Sequence, residues 1–256
     1  MKLLETLQEE KSSNLKGGIY HKTQIKLTYN TNRIEGSKLS EEQTRYIYET
    51  NTLFTEDGEN TANIDDIIET VNHFHCFDYM LKISKETLSE KHLKEFHKRL
   101  KLNTSDSKKE WFNVGDYKSK PNVVGGIETS KPNKVKEDID TLLKIYNEKD
   151  TIEILDIIDF HYEFEKIHPF QDGNGRLSRV LTSLVLLKAG YSYIPYSSLE
   201  SIIEKNKDSY YLALRRTQKT LNDDNIDWIP WLSFFLLSLK QQKDHLSQKI
   251  EMASAS

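Results

Sequence analysis

Apolar residues recur along most of this chain at intervals of three and four, the spacing that lines one face of an α-helix. Ile64, Ile67, Ile68, Val71 and Phe74 form one such stripe, and Val135, Ile139, Leu142, Leu143 and Tyr146 form another. A third, Leu177, Val180, Leu181, Leu184 and Val185, predicts a helix from near Gly175 to about Ala189. The stretch Thr151 to Ile167 is apolar on more than one side and predicts a helix deep in the core. Pro169 ends it by disfavouring the helical conformation in the residue before it, which leaves His168 at the helix end. Ser40 followed by Glu41, Glu42 and Gln43 predicts a capping box opening a helix to about Leu53. Gly36 predicts the stop of a short helix before that one. A C-terminal helix begins near Trp228, and its apolar run Trp231 to Leu239 is about half the length needed to cross a bilayer. With only five prolines to interrupt these patterns, the fold class is mainly α.

One segment breaks the helical period. Trp111 to Pro132 has a Val-Val-Gly-Gly-Ile centre between polar residues and prolines, the pattern of a short β-hairpin. An isolated hairpin is marginal, so this one leans on helices and can serve as a flap.

Composition narrows the function classes. The 256 residues carry 36 Lys and Arg against 40 Asp and Glu, a formal charge of -4, so no strong field draws nucleic acid or anionic lipid. No nucleic-acid or membrane partner is expected. One cysteine, Cys76, excludes an internal disulfide framework, reads as a small buried hydrophobe and fits a cytoplasmic location. Met1 to Leu15 is amphipathic and acidic, unlike a secretory leader. His73, His75, His92 and His97 lack the spaced partners of a zinc set and read as ordinary core or surface histidines.

The chemistry concentrates in HPFQDGNGRLSR, His168 to Arg179. Its glycines form a tight loop that delivers a helix N-terminus, where free backbone N–H groups and the helix dipole favour an anion. Arg176 and Arg179, three residues apart, reach from the first turn, and guanidinium forks match phosphate oxygens. Asp172 would repel phosphate unless a metal bridges them, and Mg²⁺ is usually held by one or two carboxylates plus substrate phosphates. His168 is the side chain suited to accept a hydroxyl proton near neutral pH. Together they describe transfer of a phosphate-containing group to a hydroxyl. His161 is expected to pack near His168 as a supporting partner, and Glu163 and Glu165 to be exposed acids on the same helix.

These twelve residues match the signature of the Fic family in full, and from Trp111 to Leu214 the chain resembles a Fic domain. The resemblance implies a Fic-fold helical bundle with a hairpin flap, and transfer of AMP from ATP to a Ser, Thr or Tyr hydroxyl of a protein. It implies that His168 is the base, that Asp172 holds Mg²⁺, that Gly173, Asn174, Gly175 and Arg176 cradle the phosphates, and that Arg179 meets the γ-phosphate. Val123, Val124, Gly125, Gly126 and Ile127 become the flap that pairs with the target segment. Lys118 stands where the family pattern has arginine, keeping the charge without the planar fork. Tyr210 and Tyr211 either contact adenine or pack an amphipathic helix.

The stretch Thr31-Asn32-Arg33-Ile34-Glu35-Gly36 resembles the family's inhibitory motif, here N-terminal to the core. The resemblance implies that Glu35 pairs with Arg179 in the γ-phosphate position and that Thr31 fixes the inhibitory helix. It divides the chain into N-terminal helices (1–60, with the inhibitory helix at about 25–36), a core (61–225, with the flap at about 118–130 and the loop 168–179) and a C-terminal helix and tail (226–256). The protein substrate is unidentified and includes the chain itself as a candidate; a homo-oligomer stays open. Three alternatives remain: transfer of another phosphate-containing group, removal of AMP using Glu35, and a nucleotide-sensing interaction module.

Overall fold

The computed structural model describes residues 2–53, 62–191, 194, 198–220 and 226–254. The helical stripes become α1 (Lys2–Ser12), α2 (Ile19–Ile34), α3 (Glu41–Thr50), α4 (Ile64–Ile83), α5 (Glu90–Lys101), α6 (Val135–Asn147), α7 (Ile154–Ile167), α8 (Asn174–Lys188), α9 (Leu199–Lys205), α10 (Lys207–Lys219) and α11 (Ile229–Ser254). The domain boundaries drawn at 60 and 225, and the last two residues of the ASAS tail, lie outside the described residues.

The core forms where α7 and α8 pack on each other, with α6 against α7 and α4 against α8. Ile157, Ile158, Phe160, Tyr162 and Phe164 of α7 meet Leu181, Leu184 and Val185 of α8 in one buried cluster. Burial on several sides of α7 is what its unstriped apolar sequence predicts. The α6 stripe from Val135 to Tyr146 is buried throughout, whereas Ile64, in the first turn of α4, is exposed. In α11 the buried apolar residues Trp231, Phe235 and Leu239 are spaced by four, whereas Leu236 and Leu237 of the same apolar run face outward.

Local signals set the helix ends. Ser40 accepts from the Gln43 backbone N–H and Gln43 Oε1 accepts from Ser40 N–H, a complete capping box, but α3 stops at Thr50, where Asn51 takes the left-handed conformation. At the end of α2, Gly36 has φ +102°, and the Ser37 and Gly36 N–H groups donate to Asn32 and Arg33 carbonyls. This Schellman arrangement makes Glu35 the cap that follows Ile34, the last residue of α2. The helix it closes spans 16 residues and is not the short one expected. Its length lets it pack along α4, α8 and α9.

The hairpin pairs β1 (Val123–Val124) with β2 (Ile127–Glu128), antiparallel, Val124 opposite Ile127. Gly125 and Gly126 have φ +60° and +84°, the double left-handed turn that a two-residue hairpin requires. A side chain at Gly125 would collide with Arg215 of α10, which lies against the turn.

Candidate active site

His168 caps α7 in a left-handed conformation (φ +50°, ψ +62°) that turns the chain out of the helix. Its Nδ1 lies 3.4 Å from the Glu165 carbonyl and 3.6 Å from Glu165 Oε2. Glu165 is buried, not an exposed acid, and it also accepts a short hydrogen bond from the Ser178 hydroxyl. Burial opposes its charge, but His168, His161 and Ser178 outweigh that and hold the carboxyl down at about 2. With Nδ1 facing a carboxylate, the Nε2 side of the ring is left to meet a substrate. His161 acts electrostatically on the same Glu165 carboxylate. It is sealed in the core between the Thr182 and Tyr210 hydroxyls at 2.7 and 2.9 Å, and burial pushes its pKa down to about 4.

The loop after His168 is closed by Asn174, whose amide accepts from Phe170 N–H at 2.9 Å and donates to Phe170 carbonyl at 2.8 Å. Asn174 is buried, and its side chain shapes the loop. Phe170 anchors the loop in the core, stacked on His97 with ring centres 4.1 Å apart. Gly173 precedes α8 with φ +79°, a conformation glycine adopts without strain.

The two arginines diverge. Arg176 turns inward, with Nη2 2.9 Å and Nη1 2.5 Å from the two oxygens of Glu69 on α4. Its fork is therefore spent on a carboxylate, and phosphate would meet this residue through the main chain. Arg179, 1% exposed, reaches α2 instead. Its Nη2 is 2.5 Å from Glu35 Oε1, and its Nε donates to Thr31 Oγ1 at 2.8 Å. Thr31 and Glu35 are four apart, so one face of α2 presents both. The Glu35 carboxylate also lies over the α8 N-terminus: a Cβ built on Gly175 would sit 2.7 Å from Glu35 Oε1. A carboxylate thus covers the first turn that the sequence assigns to phosphate.

Asp172 is half exposed, and its Oδ2 accepts from Lys101 Nζ at 2.6 Å. Burial opposes its charge, yet Lys101 and Arg176 hold the carboxyl at about 2. Among the described residues no three His, Cys, Asp or Glu side chains gather as a metal cage. One ionised carboxylate beside a phosphate cradle instead fits a Mg²⁺ that is completed by the nucleotide. Lys101, Glu69 and Glu165 were missed in the sequence because each is an ordinary charged residue on a helix until the fold closes.

The flap is tied to the same loop. Lys118 N–H donates to Pro169 carbonyl, and Asn122 Nδ2 to Phe170 carbonyl at 3.1 Å. Lys118 Nζ, buried, donates to Asn122 Oδ1 (2.8 Å), Thr129 Oγ1 (2.7 Å) and Ile167 carbonyl (3.2 Å), joining both hairpin ends to α7. Burial pushes its pKa down to about 8. Val123 is exposed and open to a partner segment, and Val124 and Ile127 are half-buried. Of the two tyrosines, Tyr210 is in the core with its hydroxyl on His161, which removes it from any nucleotide; Tyr211 is half-buried, its ring 5.1 Å from that of Tyr210. No helix among the described residues is long and apolar enough to cross a membrane.

Several known proteins resemble this chain in sequence or fold. Protein adenylyltransferase fic-1 of Caenorhabditis elegans is 28% identical over 170 residues, which cover 64% of this chain and 32% of that protein. A probable protein adenylyltransferase of Aquifex aeolicus is 27% identical over 157 residues, 60% of this chain and 46% of its own. The chain therefore matches between a third and a half of the length of these relatives. A Fic family protein from Desulfovibrio desulfuricans shares the fold with a TM-score of 0.72 at 22% identity, over 97% of this chain and 73% of that one. A Fic domain containing signaling protein from Bacteroides thetaiotaomicron gives 0.68 at 22%, over 92% and 91%. The Fic/DOC family pattern matches residues 87–186, the stretch that holds the flap, His168 and the whole loop to Arg179.

Proposed function

We propose that this protein transfers AMP from ATP to a hydroxyl of a protein side chain, releasing pyrophosphate, and that Glu35 holds it in an inhibited state. The observation that carries the reading is the position of Glu35: an anion already lies on the α8 N-terminus and on Arg179. Groups that accept a carboxylate there accept phosphate oxygens for the same reasons of charge and geometry.

In the active state the nucleotide displaces Glu35, its terminal phosphate takes Arg179, and the α8 backbone receives the phosphates. A magnesium ion held by Asp172 and the phosphates would neutralise their charge. His168 Nε2 takes the proton of the target hydroxyl, whose oxygen forms a bond to the α-phosphorus while the bond from that phosphorus to the bridging oxygen breaks and pyrophosphate leaves. Glu165 at Nδ1 stabilises the imidazolium formed. The flap, fixed to the loop by Lys118 and Asn122, holds the target strand in line. Adenylyltransferase relatives support AMP as the transferred group. Its targets are other proteins and this chain itself.

ATP labelled at the α or the γ phosphate separates the outcomes. The Glu35→Gly protein should pass α label, and not γ label, to protein. Transfer of γ label would identify a phosphotransferase and overturn the proposal.

A further inference from the structure

The end of α5 carries a buried ammonium that the reaction outlined above does not use. Lys101, the last residue of α5, is 1% exposed, and its Nζ lies 2.7 Å from Glu69 Oε1, 2.6 Å from Asp172 Oδ2 and 3.3 Å from Asp106 Oδ2. An ammonium has three donors, and here each faces a different carboxylate. Arg176 grips Glu69 from the other side and stands 3.6 Å from the same Asp172 oxygen. Two buried cations therefore face three carboxylates, and only Asp172 among the three belongs to the signature loop.

Fixing Oδ2 has two consequences. Asp172 keeps one oxygen for a metal, the single-oxygen mode that suits Mg²⁺ better than the two-oxygen mode common for Ca²⁺. A fixed positive charge also stands one carboxylate away from any cation that Asp172 binds, and in a partly buried site that repulsion is poorly screened.

We propose that Lys101 is a positioning residue that orients Asp172 and keeps the free protein from taking up a divalent cation, so that the metal enters only with nucleotide phosphates. The inference rests on the reading of Asp172 as the carboxylate that meets the metal. Mn²⁺ binding followed by electron paramagnetic resonance tests it without reference to turnover, on wild type, Lys101→Met and Lys101→Gln, with and without a non-hydrolysable ATP analogue. Wild type should bind Mn²⁺ with the analogue and only weakly without it. Loss of the Lys101 charge should tighten binding to the nucleotide-free protein by about tenfold or more, the effect of deleting one poorly screened charge near a dication. Adding Asp172→Asn should cancel the gain. Equal Mn²⁺ binding by wild type and a folded Lys101 variant overturns the inference. Should both variants unfold, wild type decides: a nucleotide-free dissociation constant below about 0.1 mM, the range of dedicated protein cation sites, contradicts it. Asp172→Asn alone separates the two levels, because undiminished Mn²⁺ binding with the analogue would mean that Asp172 is not the metal carboxylate at all.

Discussion

Replacing Glu35 by glycine removes the carboxylate from a guanidinium that has little else to hold. Arg179 is buried, its Nε is satisfied by Thr31, and its Nη1 has no hydrogen-bond partner, so among the described residues Nη2 to Glu35 at 2.5 Å is its one ion pair. A hydrogen bond between charged groups contributes about 1.5 to 3 kcal/mol. The larger cost of breaking a fully buried pair, about 3 to 5 kcal/mol, does not apply, because the Glu35 side chain is 31% exposed and water screens it. If ATP must break this contact to be bound for transfer, its removal is worth about one to two orders of magnitude, at about 1.4 kcal/mol per tenfold. Rates of AMP transfer with α-labelled ATP, together with calorimetric ATP affinities, should therefore rise about ten- to a hundredfold in Glu35→Gly. Glu35→Gln, which keeps the shape and loses the charge, should fall between. Equal rates and affinities in all three proteins would refute the argument, because the observed pair would then cost the nucleotide nothing.

Other perturbations give distinct readouts. His168→Ala should lower transfer by about a hundredfold or more, the usual worth of a general base, while ATP affinity measured by calorimetry stays within about twofold. Lys118→Met should unfasten the flap from α7 and raise the KM for the protein target more than that for ATP in steady-state kinetics, with Lys118→Arg restoring part of the loss. Acid should destabilise the protein in two stages, read as Tm against pH. Burial depresses His161 to about 4 and His97 to about 3, so below about pH 6.5 the unfolded chain takes up protons that the folded one refuses and stability falls. For His161 alone the change from 6.5 to about 4 amounts to about 3 kcal/mol by the lower pH. A second loss follows between about pH 4.5 and 2, where Glu165, its carboxyl held down at about 2, is protonated only in the unfolded chain until the folded value is reached. A Tm that stays flat from pH 7 to 4 would contradict the histidine stage, and one that stays flat from pH 4.5 to 2 would contradict the Glu165 stage.

What was legible in the sequence, and what was not, follows the range of the interactions. The capping box at Ser40, the stop at Gly36 and the Gly125-Gly126 turn are written in neighbouring residues, and all three form. The pairing of Glu35 with Arg179 spans 144 positions and was legible only because both belong to a recognisable pattern. No such pattern marked Lys101 or Glu69, which meet Asp172 and Arg176 across 71 and 107 positions. Each also ranks as a common surface charge until burial removes the water around it. Glu165 misled for a related reason: a glutamate within an apolar helix suggests the exposed side, whereas α7 has almost none, and the carboxylate is retained by His168 and Ser178. Tyr210 shows the converse, its hydroxyl drawn into the core because His161 offers a partner there. The divergence of Arg176 and Arg179 also escaped the sequence, since three-residue spacing gives two side chains a shared face without saying that a carboxylate from α4 will claim one of them.

Peptide mapping by tandem mass spectrometry tests the central claim most directly. Wild type, Glu35→Gly and Glu35→Gly/His168→Ala are each incubated with ATP, Mg²⁺ and cell-lysate proteins. The account predicts AMP on Ser, Thr or Tyr hydroxyls, in the lysate or on the protein itself, abundant with Glu35→Gly, scarce with wild type and absent with the double variant. AMP-bearing peptides that persist without His168, or none in the Glu35→Gly reaction, would contradict it.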